Sequence, residues 1–226
     1  MAEGLLERTV APRGAELLWA DLAAHAAHDL NNHLTSVLGK SEIALMSPDP
    51  ARWQRGLEEV LEAGQQARSL VADLQRLARW QLGAEGGVPA PDLLGLVVRL
   101  AGRRARRAGV TLEMSGTGSL ADSRLAARFA LVTWRLVERA LLALEAGTDA
   151  ELPPWRLEAT AGPGTDCAIT LHHPGGPAVL PGLLEAAEAL EGAGEPPADW
   201  AAVVELCRDL GATLAPGDHG FHLRMV

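Results

Sequence analysis

The sequence predicts an α+β chain: an antiparallel helical hairpin that dimerises into a four-helix bundle, followed by an α/β domain. Three observations carry this reading. Nothing breaks a helix between about Ala15 and Met46, and "SPDP" at Ser47 to Pro50 then supplies two prolines where the chain must reverse. Trp53, Leu57, Val60, Gly64, Ala67, Val71, Leu74 and Ala78 keep an alternating four-three spacing, widened by Leu61 and Leu77, as a bundle helix does. After the Gly- and Pro-rich "LGAEGGVPAP", the texture changes to helices interleaved with short β-like runs.

Each element follows from its local pattern. A lone hairpin cannot bury the apolar faces of both its helices, so a second copy is the simplest way to complete four, and a homodimer is expected. Residues 1–82 form the hairpin on this reading, 83–91 a linker and 92–226 the α/β domain. That domain holds a helix from about Asp92 to Ala108, the strand "VTLEM", and a helix from about Ser123 to Glu145. Strands around Trp155 to Thr160 and in "CAITLHH" follow, then a helix near Leu183 to Glu191. The helix "DWAAVVELCRDLG", ended by Gly211, precedes two last strand-like pieces, at Ala212 to Leu214 and Phe221 to Met225.

Composition narrows the function. With 29 Asp+Glu against 20 Lys+Arg, the net charge is -9 over 226 residues, which argues against a nucleic-acid or anionic-membrane binder. Proteins or small molecules are the expected partners. Cys167 and Cys207 are the only cysteines and have no zinc-like spacing, so a reduced, cytoplasmic chain is expected, with no disulfide framework. The start, "MAEGLLERTVAPRG", lacks a signal-peptide pattern, and no window approaches a membrane span.

One run of the first helix is unusually polar: His28-Asp29-Leu30-Asn31-Asn32-His33-Leu34-Thr35. On a wheel of about 100° per residue, Asn32, Thr35 and Gly39 fall within about 40° of His28. Leu30, Leu34, Val37, Leu38 and Leu45 cluster on the opposite side, so His28 is expected on a solvent flank. Gly39 weakens a helix, which fits a site that something else approaches closely. Imidazole, with an ordinary pKa of about 6.5, offers a lone pair near neutral pH. The candidate catalytic set is therefore His28 as nucleophile, Asp29 as the acid holding its other ring nitrogen, and Asn32 as positioner of a phosphoryl group or water. Thr35, Ser36 and Gly39 are the candidate partner-binding positions.

The stretch resembles the phosphoacceptor motif of two-component histidine kinases, in which His and an acid are followed by two variable residues and then Asn or Thr. His28, Asp29 and Asn32 match it; His33 stands where many members have a helix-kinking proline, so a straighter helix is expected. "PDLLGLVVRLAGRRARRAGVTLEM", "ADSRLAARFALVTWRLVERALLAL" and "DWAAVVELCRDLGATLAPGDHGFHLRMV" follow in the order of elements of the kinase ATP-binding domain. The nucleotide site departs from the pattern. Arg135 and Arg139 stand where the family offers asparagines, and guanidinium cannot ligate a metal. "HHPGGPAVLP" lacks the acid of the adenine-reading loop, and "GEPPADWAA" replaces the second Gly-rich loop.

The resemblance thus implies a degenerate histidine-kinase-like ATPase α/β sandwich behind an intact hairpin, as in histidine phosphotransferases built on that scaffold. It implies transfer of phosphoryl groups between response-regulator receiver aspartates and His28, without ATP. No cofactor would be intrinsic; Mg2+ would come with the receiver domain, and a hybrid or sensor histidine kinase would act upstream. The short N-terminus suggests that no sensor domain precedes the hairpin. Two alternatives stay open: a non-catalytic pseudokinase adaptor that docks a receiver, and an active kinase with an unorthodox ATP site.

The remaining polar residues read more plainly. His33 lies about 140° from His28, which spoils a shared metal site, and His25 is a bystander or modulator. His172, His173, His219 and His222 read as structural or exposed. Arg99, Arg103, Arg104, Arg106 and Arg107 read as a solvated helix face rather than a dock for an acidic surface. Trp53, Trp80 and Trp134 suit core or interface positions. For Arg135 and Arg139 the sequence leaves two possibilities, filling the vacated pocket or pairing with Glu138 and Glu145.

Overall fold

The computed structural model describes residues 13–145, 155–161, 167–172, 182–217 and 220–225. Helix α1 (Arg13–Met46) runs unbroken for 34 residues, straight through His33. Removing the proline restores the backbone N–H that an interior helical turn needs. The reversal is fixed by capping: Asp49 accepts from the Ala51 amide at 2.9 Å, and Pro50 fills the first turn of α2 (Pro50–Gln81), where no N–H is required. Across the turn the Trp53 indole N–H donates to the Ser47 carbonyl at 2.5 Å.

The stretch expected to be a linker is short and tied down. After Leu82 and Gly83, it ends in strand β1 (Val88–Pro89), and helix α3 (Ala90–Arg107) begins at once. β1 pairs antiparallel with β3 (Ser119–Leu120), a two-stranded ribbon the sequence reading did not contain because two-residue strands have no periodicity to detect. Gly118, just before β3, has φ of +79°, and a Cβ there would lie 1.8 Å from the Ala161 carbonyl oxygen, so only glycine fits.

Strand β2 (Leu112–Thr117), helix α4 (Ser123–Glu145), β4 (Trp155–Ala161) and β5 (Cys167–His172) follow the predicted order. So do helices α5 (Leu183–Leu190) and α6 (Ala201–Leu210) and strands β6 (Ala212–Gly217) and β7 (Gly220–Met225). The five-stranded sheet has the order β2-β4-β5-β7-β6, with β2 and β4 parallel and every other pair antiparallel. Its strands alternate: Trp155, Leu157, Ala159, Cys167, Ile169, Leu171, Phe221 and Leu223 are buried, while Arg156, His222 and Arg224 are exposed. Helices α3, α5 and α6 pack against its strands.

The hairpin and the α/β region share one core. Leu18, Leu22, Leu77 and Trp80 of the hairpin belong to the same apolar cluster as Phe129, Trp134 and Trp200. Contact is close enough that a Cβ on Gly14 would meet the Ala202 carbonyl at 2.7 Å and the Leu206 nitrogen at 2.8 Å. Helices α1 and α6 therefore touch backbone to backbone there.

Candidate functional site

The helix period divides α1 around the polar run into two flanks. His28 and Thr35 are exposed; Asp29, 100° further round, is buried, with 6% of its surface exposed. The Thr35 hydroxyl donates to the Asn31 carbonyl at 2.8 Å. Apart from its chain neighbours and its own helical turn, no described atom comes within 4 Å of a Cβ built on Gly39, so the close approach expected there is not made within the described chain.

The inward flank meets helix α3. Arg103 Nη1 donates to Asp29 Oδ1 at 2.5 Å, and Asp29 Oδ2 lies 3.7 Å from His25 Nε2. His25 Nε2 is also 3.8 Å from Glu138 Oε1, whose other oxygen lies 2.7 Å from Arg104 Nε. The His25 ring packs edge-on against Trp134, with centroids 5.8 Å apart. Burial lowers the pKa of His25 most; Asp29 opposes this, and Arg104, His28 and Arg103 add to it. Lower on α2, Asp73 accepts a forked pair from Arg99 Nε at 3.0 and 2.9 Å.

Two sequence readings change here. Three of the five arginines of α3 are not a solvated face: Arg99, Arg103 and Arg104 bind carboxylates of the hairpin and of α4, because the i, i+4 spacing points 99 and 103 at α1 and α2, whereas Arg106 and Arg107 are exposed as expected. The Asp29 carboxylate, expected to hold the His28 ring, is occupied by Arg103 and faces His25; adjacent residues on a helix diverge by about 100° and do not share a partner readily. Sequence reasoning missed Arg103, Arg104 and Glu138 as neighbours of the site. The signal was present in the i, i+4 pair His25–Asp29 opposite an arginine-rich helix.

Asn32 and Ser36 lie on the flank between these two, partly buried, and Asn32 Nδ2 is enclosed without a hydrogen-bond partner among the described residues. They border a cleft of about 390 Å³ whose opposite wall is Arg103, Arg106 and Arg107.

The helix expected to carry the nucleotide ligands is α4. Arg135 Nη2 lies 3.1 Å from Asp21 Oδ2 of α1, and Arg139 pairs with Asp199 while stacking 5.0 Å above the Trp200 ring. Of the two sequence possibilities, pairing with Glu138 gives way to pairing with Asp21 and Asp199; the Glu145 side chain lies outside the described residues. These donors do not fit a Mg2+-nucleotide, since neither guanidinium can ligate the metal. "HHPGGPAVLP" beyond His172 lies outside the described residues, as do His173, His219 and the N-terminal twelve residues. Among the described residues no group of three or more His, Cys, Asp or Glu could hold a metal ion. No described helix is long and apolar enough to cross a membrane.

Residues 18–83 match the model of the His Kinase A (phospho-acceptor) domain. The hairpin is of the histidine-kinase phosphoacceptor type. No curated protein matches the chain in sequence. Among solved structures it is similar to a bacterial phosphotransferase, with 14% identity over 92% of this chain and 94% of that one and a TM-score of 0.52, a likeness of fold. It is also similar to the histidine kinase AdeS of Acinetobacter baumannii, with 14% identity, 88% and 96% coverage and a TM-score of 0.40. A third similar structure is the histidine kinase ThkA in complex with the response regulator protein TrrA, with 14% identity, 95% and 63% coverage and a TM-score of 0.44. The matched hairpin, which contains His28, is followed by a mixed five-stranded α/β region.

Proposed function

We propose that the protein is a cytoplasmic histidine phosphotransferase of a two-component phosphorelay. It takes phosphoryl groups from a receiver aspartate onto His28 and passes them to another, with no nucleotide step. The observation that supports this most is an exposed His28 on the outward flank of a phosphoacceptor hairpin, combined with arginine pairs on α4 where a nucleotide's metal ligands would stand.

In the transfer, a ring nitrogen of His28 attacks the phosphorus of the receiver's aspartyl phosphate. The N–P bond forms as the acyl P–O bond breaks, and the receiver carboxylate departs. Mg2+ held by the receiver would supply charge neutralisation. This chain contributes positioning: a rigid helix fixes His28, Asn32 orients a phosphoryl oxygen or a water, and Thr35, Ser36 and Gly39 form the adjoining docking surface. Asp29 would serve the His28 ring only after exchanging Arg103 for it.

A second copy completes the bundle. An apolar opening of about 450 Å³ between α1 and α2, bordered by Trp19, Leu30, Leu70 and Leu74, and the exposed side chains Leu38, Leu57 and Leu61 are the surface it would cover.

The test mixes purified protein with phosphorylated receiver domains and no ATP. Acid-labile label should appear on the protein and vanish in His28→Ala. An adaptor would bind receivers and never take label, and a kinase would label itself from ATP; either result overturns the proposal.

A further inference from the structure

The cleft between the hairpin and α3 is lined by three arginines in an acidic chain, and His28 is not among its lining residues. One wall is α1 and α2, through Asn32, Ser36 and Gln66; the other is the C-terminal end of α3, through Arg103, Arg106 and Arg107. A neighbouring opening of about 430 Å³ shares His33, Gln66, Arg103 and Arg106 with it and reaches Asp29 and Asp73. Both of those acids are already matched, by Arg103 and by Arg99.

No carboxylate lines the smaller cleft. Arg106 and Arg107 form no ion pair among the described residues, in a chain with nine more acids than bases. The Asn32 amide nitrogen is enclosed with no acceptor among the described residues, an arrangement that costs stability. Ser36 adds a hydroxyl, and Gln66 donates to Glu62, which is not among the lining residues. A second sign of the same field is His33, whose pKa is lowered by burial first and then by Arg103 and Arg106, with Asp29 opposing.

Donors without acceptors, two free guanidinium groups and enough volume for more than a single oxyanion define a ligand chemistry. We propose that this cleft binds a phosphate-bearing small molecule, clasped between Arg106 and Arg107 of α3 and Asn32 and Ser36 of the phosphoacceptor helix. Guanidinium forks match phosphate oxygens in planar pairs, and a partly enclosed site strengthens them relative to open solvent. Because Asn32 lies one turn from His28, an occupant ties the hairpin to α3 beside the phosphoacceptor. The site shares Asn32 and Ser36 with the proposed transfer surface but does not include His28, and should persist when His28 is replaced.

The experiment titrates orthophosphate, pyrophosphate and AMP into the full-length protein by calorimetry at low salt, with the His33 ring followed by NMR. Saturable binding of at least one probe is expected, with an upward move of the His33 titration as the anion offsets Arg103 and Arg106. Affinity should fall about ten-fold or more for each of Arg106→Ala and Arg107→Ala, and stay unchanged in His28→Ala. Both arginines are exposed at a helix end, so the variants should fold; Gln66→Glu, which sets a carboxylate in the cleft from the other wall, should also abolish binding. Pyrophosphate without AMP would identify an inorganic ligand, and preference for AMP a nucleotide; both support the site. Absence of binding for all three probes, or binding indifferent to both arginines and to Gln66→Glu, overturns it. Failure here leaves receiver transfer to His28 untouched, and failure of transfer leaves these titrations interpretable.

Discussion

The two ends of the hairpin are built from the same kind of sequence and live in different surroundings. Near the α/β region, Leu18, Leu22, Leu77 and Trp80 are at most 1% exposed, sealed by α4 and α6. Toward the turn, Leu38, Ile43, Leu57 and Leu61 are each more than 60% exposed. A four-three stripe fixes which face of a helix is apolar, and says nothing about what covers it. The upper half has found its cover within the chain; the lower half has not.

That contrast can be broken by mutation. The largest effect belongs to Arg104→Ala, which removes the guanidinium beside Glu138 in the buried tie between α3 and α4; a loss of about 3–5 kcal/mol is expected in urea unfolding. Leu77→Ala should cost about 2–5 kcal/mol, whereas Leu57→Ala in dilute, monomeric protein should cost far less. Equal losses at 57 and 77 would sink the distinction. Next, Leu57→Asp with Leu61→Asp should weaken self-association by about ten-fold or more in sedimentation while leaving the helical signal intact. Unchanged sedimentation would mean that the second copy sits elsewhere.

The smallest effect is in pH. Burial lowers the pKa of both His25 and His33 in the folded chain, so the unfolded chain binds more protons below about 6.5. Stability is then fully present above that pH and is lost as pH falls below it. The slope cannot exceed about 1.4 kcal/mol per pH unit for each histidine. His25→Gln should flatten the upper-half contribution, read as the change in unfolding midpoint between pH 7 and pH 5.5; a profile identical to the parent would refute the assignment.

Much of this was legible in the residues. The unbroken run before "SPDP", the bundle spacing after it and the alternation in "WRLEATA" and "CAITLH" each depend only on neighbours along the chain, and those elements stand where the sequence set them. The exposure of His28 follows from the wheel. Strand order, the β1–β3 ribbon and the partners of Asp29 were not legible, because each is a contact between segments far apart in sequence. Arg103 reaches Asp29 across 74 positions. Arginines that look like a wet surface on one helix become clamps once a second helix is laid against them.

Trp53 gives the lower half an optical use. Of the six tryptophans, Trp80, Trp134, Trp155 and Trp200 are sealed in the core and Trp19 is partly buried, while Trp53 at the hairpin tip is 48% exposed. Its indole, pinned to the Ser47 carbonyl, is held rigid in a wet setting. Its emission, shifting to the blue as the tip is covered, would time the arrival of a neighbour without any label being attached.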